Sequence, residues 1–226
     1  EKWVEYFNSQ DYDVILTTAS LSLRLAMIAP RLKAATIGWQ HNCYDGYLHV
    51  KPVVFWQQEN LLQQYLPNLD RYIVLSDYDK RDYMEKLGID CEVKINPRSF
   101  VSEKKCDVKS KRFLMATRFV YAKGLDLMME SFEEFCKEDS EWELDIIGDG
   151  DLFDQIRADA KKRHLEKRVH FVGYTNEPEK YYLNSSVFLL PSRWEGWPMV
   201  IMEAFEFGLP VIAYHMGAMD LIIDDG

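Results

Sequence analysis

Along this chain, short dense apolar runs alternate with longer stretches in which apolar residues recur every three to four positions. The dense runs, rich in Val, Ile, Leu and Phe, read as strands: "DVILTT" (13–18), "ATIGWQ" (35–40), "RYIVLS" (71–76), "EVKIN" (92–96), "KRFLMAT" (111–117), "WELDIIG" (142–148), "RVHFVG" (168–173), "VFLLP" (187–191) and "PVIAY" (210–214). Between them the helical period predicts helices over 21–29, 53–66, 77–87, 124–137, 151–163, 178–184 and 199–207. Strands that are nearly all apolar, separated by helices, indicate parallel sheets covered on both faces. Asp77 and Gly88 bracket the 77–87 segment as cap residues. The expected class is therefore α/β.

One stretch breaks the rhythm. "NPRSFVSEKKCDVKSKR" (96–112) is polar and Lys-rich, shows no period, and is followed by a fresh strand at Phe113. It predicts a boundary between a first domain, 1–105, and a second, 106–226. At 47% hydrophobic, the chain has apolar material for two modest cores. The net charge of −10 argues against nucleic acid as a partner. That charge is uneven: residues 1–100 carry 11 Lys and Arg against 13 Asp and Glu, while the remainder carries 16 against 24. The four cysteines are scattered without a C-x-x-C pair, which reads as reduced thiols in a cytoplasmic protein and no zinc site. No apolar run approaches the roughly 18 residues of a membrane span. Membrane contact is therefore expected to be peripheral, at the inner face, and carried by the first half, where 52–66 has an apolar face. The chain opens mid-pattern and stops at "LIIDDG", which reads as a fragment of a longer protein.

Three motifs bear on chemistry. "WELDIIGDGDLFDQI" offers strand, G-x-G and helix, but the third glycine of a dinucleotide fingerprint would fall at Phe153. The acid expected some 20 residues on is replaced by "RVHFVG", so Gly148 and Gly150 are read as a tight turn. In "ATRFVYAKGLDLMMESF" a strand ends at Thr117, and Arg118 and Lys123 follow at its carboxyl end, where open α/β sheets bind ligands. Two cations there can grip two phosphates, Arg bidentately and Lys as a point charge, or can simply be solvated loop residues. In "PSRWEGWPMVIMEAFEFGLPVIAY" Glu195 stands in the loop before a helix and Glu203 about one turn inside it. A carboxylate at either place can accept hydrogen bonds from vicinal hydroxyls; each can equally be a helix-start acid or an ion-pair partner.

Taken together, "PSRWEGWPMVIMEAFEFGLPVIA" closely resembles the E-x7-E signature of family-4 retaining glycosyltransferases, which have the GT-B fold, and "ATRFVYAKGLDLMMESF" matches that family's Arg/Lys loop and following helix. "IIGDG", "VHFVGYT" and "DRYIVLSDYDKRDYMEKLGI" stand where the family puts similar segments. The resemblance implies two Rossmann-like doubly wound domains facing a cleft, the first incomplete and the second truncated at its C-terminus. It implies sugar transfer with retention from a UDP- or GDP-linked donor to a hydroxyl of a carbohydrate or lipid-linked carbohydrate, in polysaccharide or glycoconjugate synthesis, without metal or cofactor.

Carried over by position, the resemblance has Glu203 hold the donor ribose and Glu195 face the transferred sugar. Gly196, Trp197, Pro198, Met199 and Val200 contact sugar and diphosphate through their backbone, Arg118 and Lys123 bind the diphosphate and stabilise the leaving group, and Gly173 lies near the nucleobase. His41, in "GWQHN", matches a histidine that faces the transferred sugar, although by itself it reads as a turn residue. Trp194 and Trp197 flank Glu195 as either a stacking wall for sugar or core. One departure is the segment "HMGAMDLI": Gly217 keeps the approach to phosphate, but Met219 and Asp220 replace the family's Pro-Glu. Two rival functions fit the same motifs: a nucleotide-sugar epimerase of the same fold, and a non-catalytic glycosyltransferase-like subunit.

Overall fold

Each apolar run forms a strand, trimmed by a residue or more at its ends, and every strand pair is parallel. This computed structural model describes residues 1–50, 55 and 57–223. The strands sort into two sheets and the chain into two units. Unit 1 comprises Glu1–Asn96, Trp194–Trp197 and Gly217–Gly226, and unit 2 comprises Pro97–Arg193 and Pro198–Met216.

In unit 1 the described elements are α1 (Lys2–Ser9), β1 (Val14–Thr18), α2 (Leu21–Ile28), β2 (Ala35–Trp39), α3 (Tyr44–Leu48), α4 (Glu59–Tyr65), β3 (Arg71–Val74), α5 (Asp77–Asp82) and β4 (Glu92–Val93). The strands lie in the order β1-β2-β3-β4. Sequence reading has both sheets doubly wound; these four strands advance one way only, as in one half of such a sheet. Ile15, Leu25, Leu62, Val74 and Leu87 fill the core beside them. The expected 53–66 helix is present as α4, and positions 53, 54 and 56 lie outside the described residues. Two helices were not expected. α1 opens the chain, and α3 is a five-residue turn with Gly46 at its centre.

The start of α5 also differs from expectation. Ser76, not Asp77, is the N-cap: its hydroxyl accepts from the Asp79 backbone N–H at 3.1 Å and donates to the Asp79 carboxylate at 2.6 Å. The Ser76 hydroxyl thereby takes one free N–H of the first turn, which a residue already inside that turn cannot do. The other oxygen of Asp79 accepts from the Tyr44 N–H at 2.9 Å, so one buried carboxylate bonds at the first turns of both α5 and α3. Burial pushes its pKa up despite those bonds. α5 continues as a π-helical turn, Tyr83–Leu87, and ends at Gly88 in the left-handed region, φ 68°, as the sequence predicts. Buried Tyr83 accepts from Gln40 Nε2 at 3.0 Å and shares a 3.3 Å bond with the Tyr72 hydroxyl.

In unit 2 the elements are β5 (Arg112–Ala116), α6 (Leu125–Glu138), β6 (Glu143–Ile147), α7 (Phe153–Lys162), β7 (Val169–Gly173), α8 (Glu179–Leu183), β8 (Val187–Leu190), α9 (Met199–Glu206) and β9 (Val211–Ala213). The order β7-β6-β5-β8-β9 makes this sheet doubly wound: the chain builds outward from β5 to β7, then returns to β8 on the other side of β5. Phe113, Met115, Met129, Phe132, Ile146 and Leu189 form its core. The join between units falls after Asn96, ahead of the expected 105. Residues 97–105 belong to unit 2 because they hang on the end of α9. Arg98 and the Ser102 N–H reach the Glu206 carboxylate, Lys105 donates to the Glu206 carbonyl, and Cys106 N–H donates to Phe207 O at 2.8 Å.

Candidate functional site

Doubly wound sheets bind ligands beyond the carboxyl ends of their strands, where the winding reverses. In unit 2 that place is beyond β5 and β8. The loop after β5 carries Arg118, exposed, and Lys123, half-buried at the end of a 3-10 turn, Tyr121–Lys123. Glycines on either side let neighbouring backbone close on this loop. Gly148 has φ 125°, and a Cβ there would lie 1.7 Å from Thr117 O. Gly124 has φ 63°, and its Cβ would lie 1.9 Å from Pro191 O. Neither position admits another residue without moving the loop. The "IIGDG" motif is thus a packing device beneath Arg118: Phe119 N–H donates to Asp149 O at 2.9 Å and Leu152 N–H to Phe119 O at 2.9 Å.

A residue that sequence reasoning passed over completes the loop. Arg193, after β8, forks onto Asp126 in the first turn of α6 at 2.8 and 2.6 Å and donates to Tyr121 O at 2.9 Å. Its guanidinium lies 4.0 Å from the centre of the Tyr121 ring, and its own N–H bonds Ala122 O at 2.7 Å. The hydrogen bonds from Arg193 hold the Asp126 carboxyl below its ordinary range. Its position in "SRWE" gave a cue to its neighbourhood, but no local spacing names Asp126, 67 residues away, as its partner.

Glu203 is half-buried on α9. Its Oε2 accepts from the Tyr182 hydroxyl at 2.8 Å and its Oε1 from Ser99 Oγ at 3.2 Å. Its bonding is to hydroxyls rather than to the cation that an ion-pair reading calls for. At the start of the same helix Pro198 is the N-cap and contributes no side-chain acceptor to the first turn, which holds Met199 and Val200. Gly173 ends β7 at φ 78° with open space where a Cβ would stand, and its carbonyl accepts from Gly148 N–H at 2.9 Å.

The remaining candidates belong to unit 1. His41 follows β2 and lies against the Trp39 ring, with centroids 5.2 Å apart; partial desolvation there lowers its pKa. The Glu195 segment packs beside it. A Cβ on Gly196 would lie 2.8 Å from Asn42 Cα, and one on Gly46 would lie 2.5 Å from Trp194 Cδ1. The loop of His41 and the loop of Glu195 are therefore in backbone contact within unit 1. Trp194 is half-buried against Gly46, and Trp197 is half-buried with its Nε1 out of reach of solvent. Gly217 adopts φ 43° with open space around it; two residues on, Met219 is buried, while Asp220 accepts from the Tyr78 hydroxyl at 3.1 Å.

Relatives of known class point the same way. The chain is 30% identical over 208 residues to an uncharacterized glycosyltransferase of Haemophilus influenzae, covering 89% of this chain and 56% of that one. It is 34% identical over 120 residues to the amylovoran biosynthesis glycosyltransferase AmsD of Erwinia amylovora, 52% of this chain and 34% of that one. Among solved structures, S. aureus TarM in complex with Fondaparinux, alpha-GlcNAc-glycerol and UDP superposes with a TM-score of 0.80 at 21% identity, over 98% of this chain and 46% of TarM. That likeness shows the fold, GT-B. The chain spans about half the length of the relatives it matches. The profile described as "Glycosyl transferases group 1" matches residues 99–226, the whole stretch that carries the glycine-braced loop, Arg193, Glu195 and Glu203, and the chain belongs to that family.

Proposed function

We propose that this chain transfers a hexosyl-type sugar from a UDP- or GDP-linked donor to a hydroxyl of a carbohydrate or lipid-linked carbohydrate, with retention, as family-4 enzymes do. The observation that carries the reading is the Arg118–Lys123 loop, set by backbone-to-backbone packing where the sheet reverses. Two cations on one packed loop suit a diphosphate, and their charge would favour a leaving group as it becomes anionic. Glu203 takes the ribose hydroxyls, and the uncapped N–H groups of Met199 and Val200 supply donors to an anion. Glu195 and His41 are assigned to the sugar, with the backbone of Gly196 and Trp197. Gly173 is assigned to the base and Gly217 to the phosphates.

In the reaction, the bond from the anomeric carbon to the diphosphate oxygen breaks and the acceptor oxygen bonds to that carbon on the same face. The acceptor proton passes to the departing diphosphate. Relatedness to an amylovoran biosynthesis enzyme supports a place in polysaccharide synthesis, and UDP in the TarM complex supports a nucleotide donor. Work at the inner membrane face from the cytoplasm is part of the proposal; no helix of the described residues is long and apolar enough to cross a membrane.

The test is turnover of labelled UDP- and GDP-sugars with and without a panel of saccharide acceptors, with the anomeric configuration of the product read by NMR. Transfer that keeps the donor's configuration supports the proposal. A free epimerised sugar nucleotide supports an epimerase, binding without turnover a non-catalytic subunit, and an inverted product refutes retention.

A further inference from the structure

Tyr182 is an internal residue of α8, 1% exposed, and its ring is the middle of a three-ring stack. Phe207 lies 5.2 Å away at 22° and Phe188 lies 5.8 Å away at 7°. A phenol placed so deeply needs an acceptor for its hydroxyl. The acceptor is Glu203 Oε2 at 2.8 Å, and desolvation together with that carboxylate pushes the phenol pKa well up, so it stays a donor. The two oxygens of Glu203 thus differ. Oε2 is committed to a group that cannot move, because the stacked rings fix it. Oε1 receives a longer bond, 3.2 Å, from Ser99, an exposed residue of the polar stretch after Asn96.

We infer that Tyr182 is a positioning residue. It locks the Glu203 carboxylate so that Oε1 is presented to the ribose hydroxyls of the nucleotide, and Ser99 Oγ holds that oxygen until the ribose displaces it. The inference rests on the assignment of Glu203 to the ribose. It accounts for something the assignment leaves open: a glutamate with three rotatable bonds would otherwise lose side-chain entropy on binding, and the buried phenol removes that loss in advance.

The experiment is calorimetry of the full chain with UDP and with 2′,3′-dideoxy-UDP, and the GDP pair as a second arm. It is run for wild type, Glu203→Gln, Tyr182→Phe and Ser99→Ala. The wild type should prefer the hydroxylated nucleotide by about tenfold or more, the scale of a hydrogen bond to a charged group. Glu203→Gln should lose most of that preference. Tyr182→Phe keeps the ring stack and should lose at least threefold of the preference, with affinity for the dideoxy nucleotide unchanged. Ser99→Ala, at an exposed site, should bind UDP as well as wild type or up to about threefold better, on the scale of a weak hydrogen bond removed from competition.

If wild type does not distinguish the two nucleotides in either arm, the ribose assignment itself is wrong and the inference falls with it. If Glu203→Gln loses the preference and Tyr182→Phe keeps all of it, the ribose assignment stands and the positioning role is refuted. Should Tyr182→Phe fail to fold, Ser99→Ala still decides: weaker binding of UDP would mean that Ser99 supports the ligand rather than yielding to it.

Discussion

The two sheets treat the polar groups at their strand ends in opposite ways. In unit 1, the Gln40 amide and the Tyr83 and Tyr72 hydroxyls bond one another in the interior, and Ser76 and Asp79 bond each other and the backbone at the starts of α5 and α3. In unit 2 the loop beyond β5 is held from outside by backbone packing at Gly124 and Gly148 and by the fork of Arg193. Arg118 is left in solvent, and the Tyr182 bond leaves Glu203 one oxygen that only an exposed serine occupies. Polar groups that bond each other build the fold. Polar groups held in place by something else are the ones that the proposed function assigns to a ligand. Of the two sheets among the described residues, that of unit 2 is the one that reverses its winding.

The largest effect on this contrast should come from Gly148→Ala. A backbone held at φ 125° costs an ordinary residue about 1–3 kcal/mol, and the new Cβ also meets Thr117 O at 1.7 Å. The variant should melt several degrees lower and lose nucleotide affinity at temperatures where it is still folded, measured by calorimetry and thermal scanning. Full affinity in the folded variant would show that the loop needs no such support.

Arg193→Met should cost less, roughly 1 kcal/mol, since Asp126 is half-exposed and its pairing is screened. It also carries a pH signature. The Asp126 pKa is lowered in the fold, so the pairing contributes above the unfolded carboxyl pKa of ~4 and is lost as pH falls through the lower folded value. The variant should therefore differ from wild type at pH 6 and converge on it in strong acid, as seen in denaturant midpoints.

Ser76→Ala sharpens the comparison from the other side. Losing a cap costs about 1 kcal/mol. Hydrogen exchange should quicken in α5 and α3, while nucleotide affinity stays within twofold of wild type. A large affinity loss would mean that the interior network of unit 1 also serves the ligand.

How much of this was legible in the sequence follows from what each feature depends on. Strands and long helices depend on local period, and "WELDIIG" or "LDLMMESFEEF" state theirs plainly. α3 has no such period: its five residues include a glycine, its N-cap is Cys43, whose sulfur accepts from Gly46 N–H, and its first N–H is taken by a carboxylate 35 residues away. The cap at Ser76 rests on Asp79 three residues on, a local pairing that the sequence did offer, whereas Tyr83 in the π-helical turn meets Gln40, 43 positions away. Arg118, Lys123 and Glu203 could be picked out as candidates because strand ends and the first turns of a helix are visible in the pattern. Arg193, Tyr182 and Ser99 could not, because a supporting residue is defined by its partner. Those partners lie 67, 21 and 104 positions away.

The central claim is that Arg118 and Lys123 together hold a diphosphate. Affinities of UDP and uridine, and of GDP and guanosine, for wild type, Arg118→Ala, Lys123→Ala and the double variant test it directly. Each single change should weaken the diphosphate more than tenfold, since a charge-assisted bond to phosphate is worth about 1.5–3 kcal/mol. The double should fall short of the sum because the two share one ligand, and the nucleosides should bind as before. Single variants that bind the nucleotide diphosphates as tightly as wild type would contradict the account and leave the loop as two ordinary surface cations.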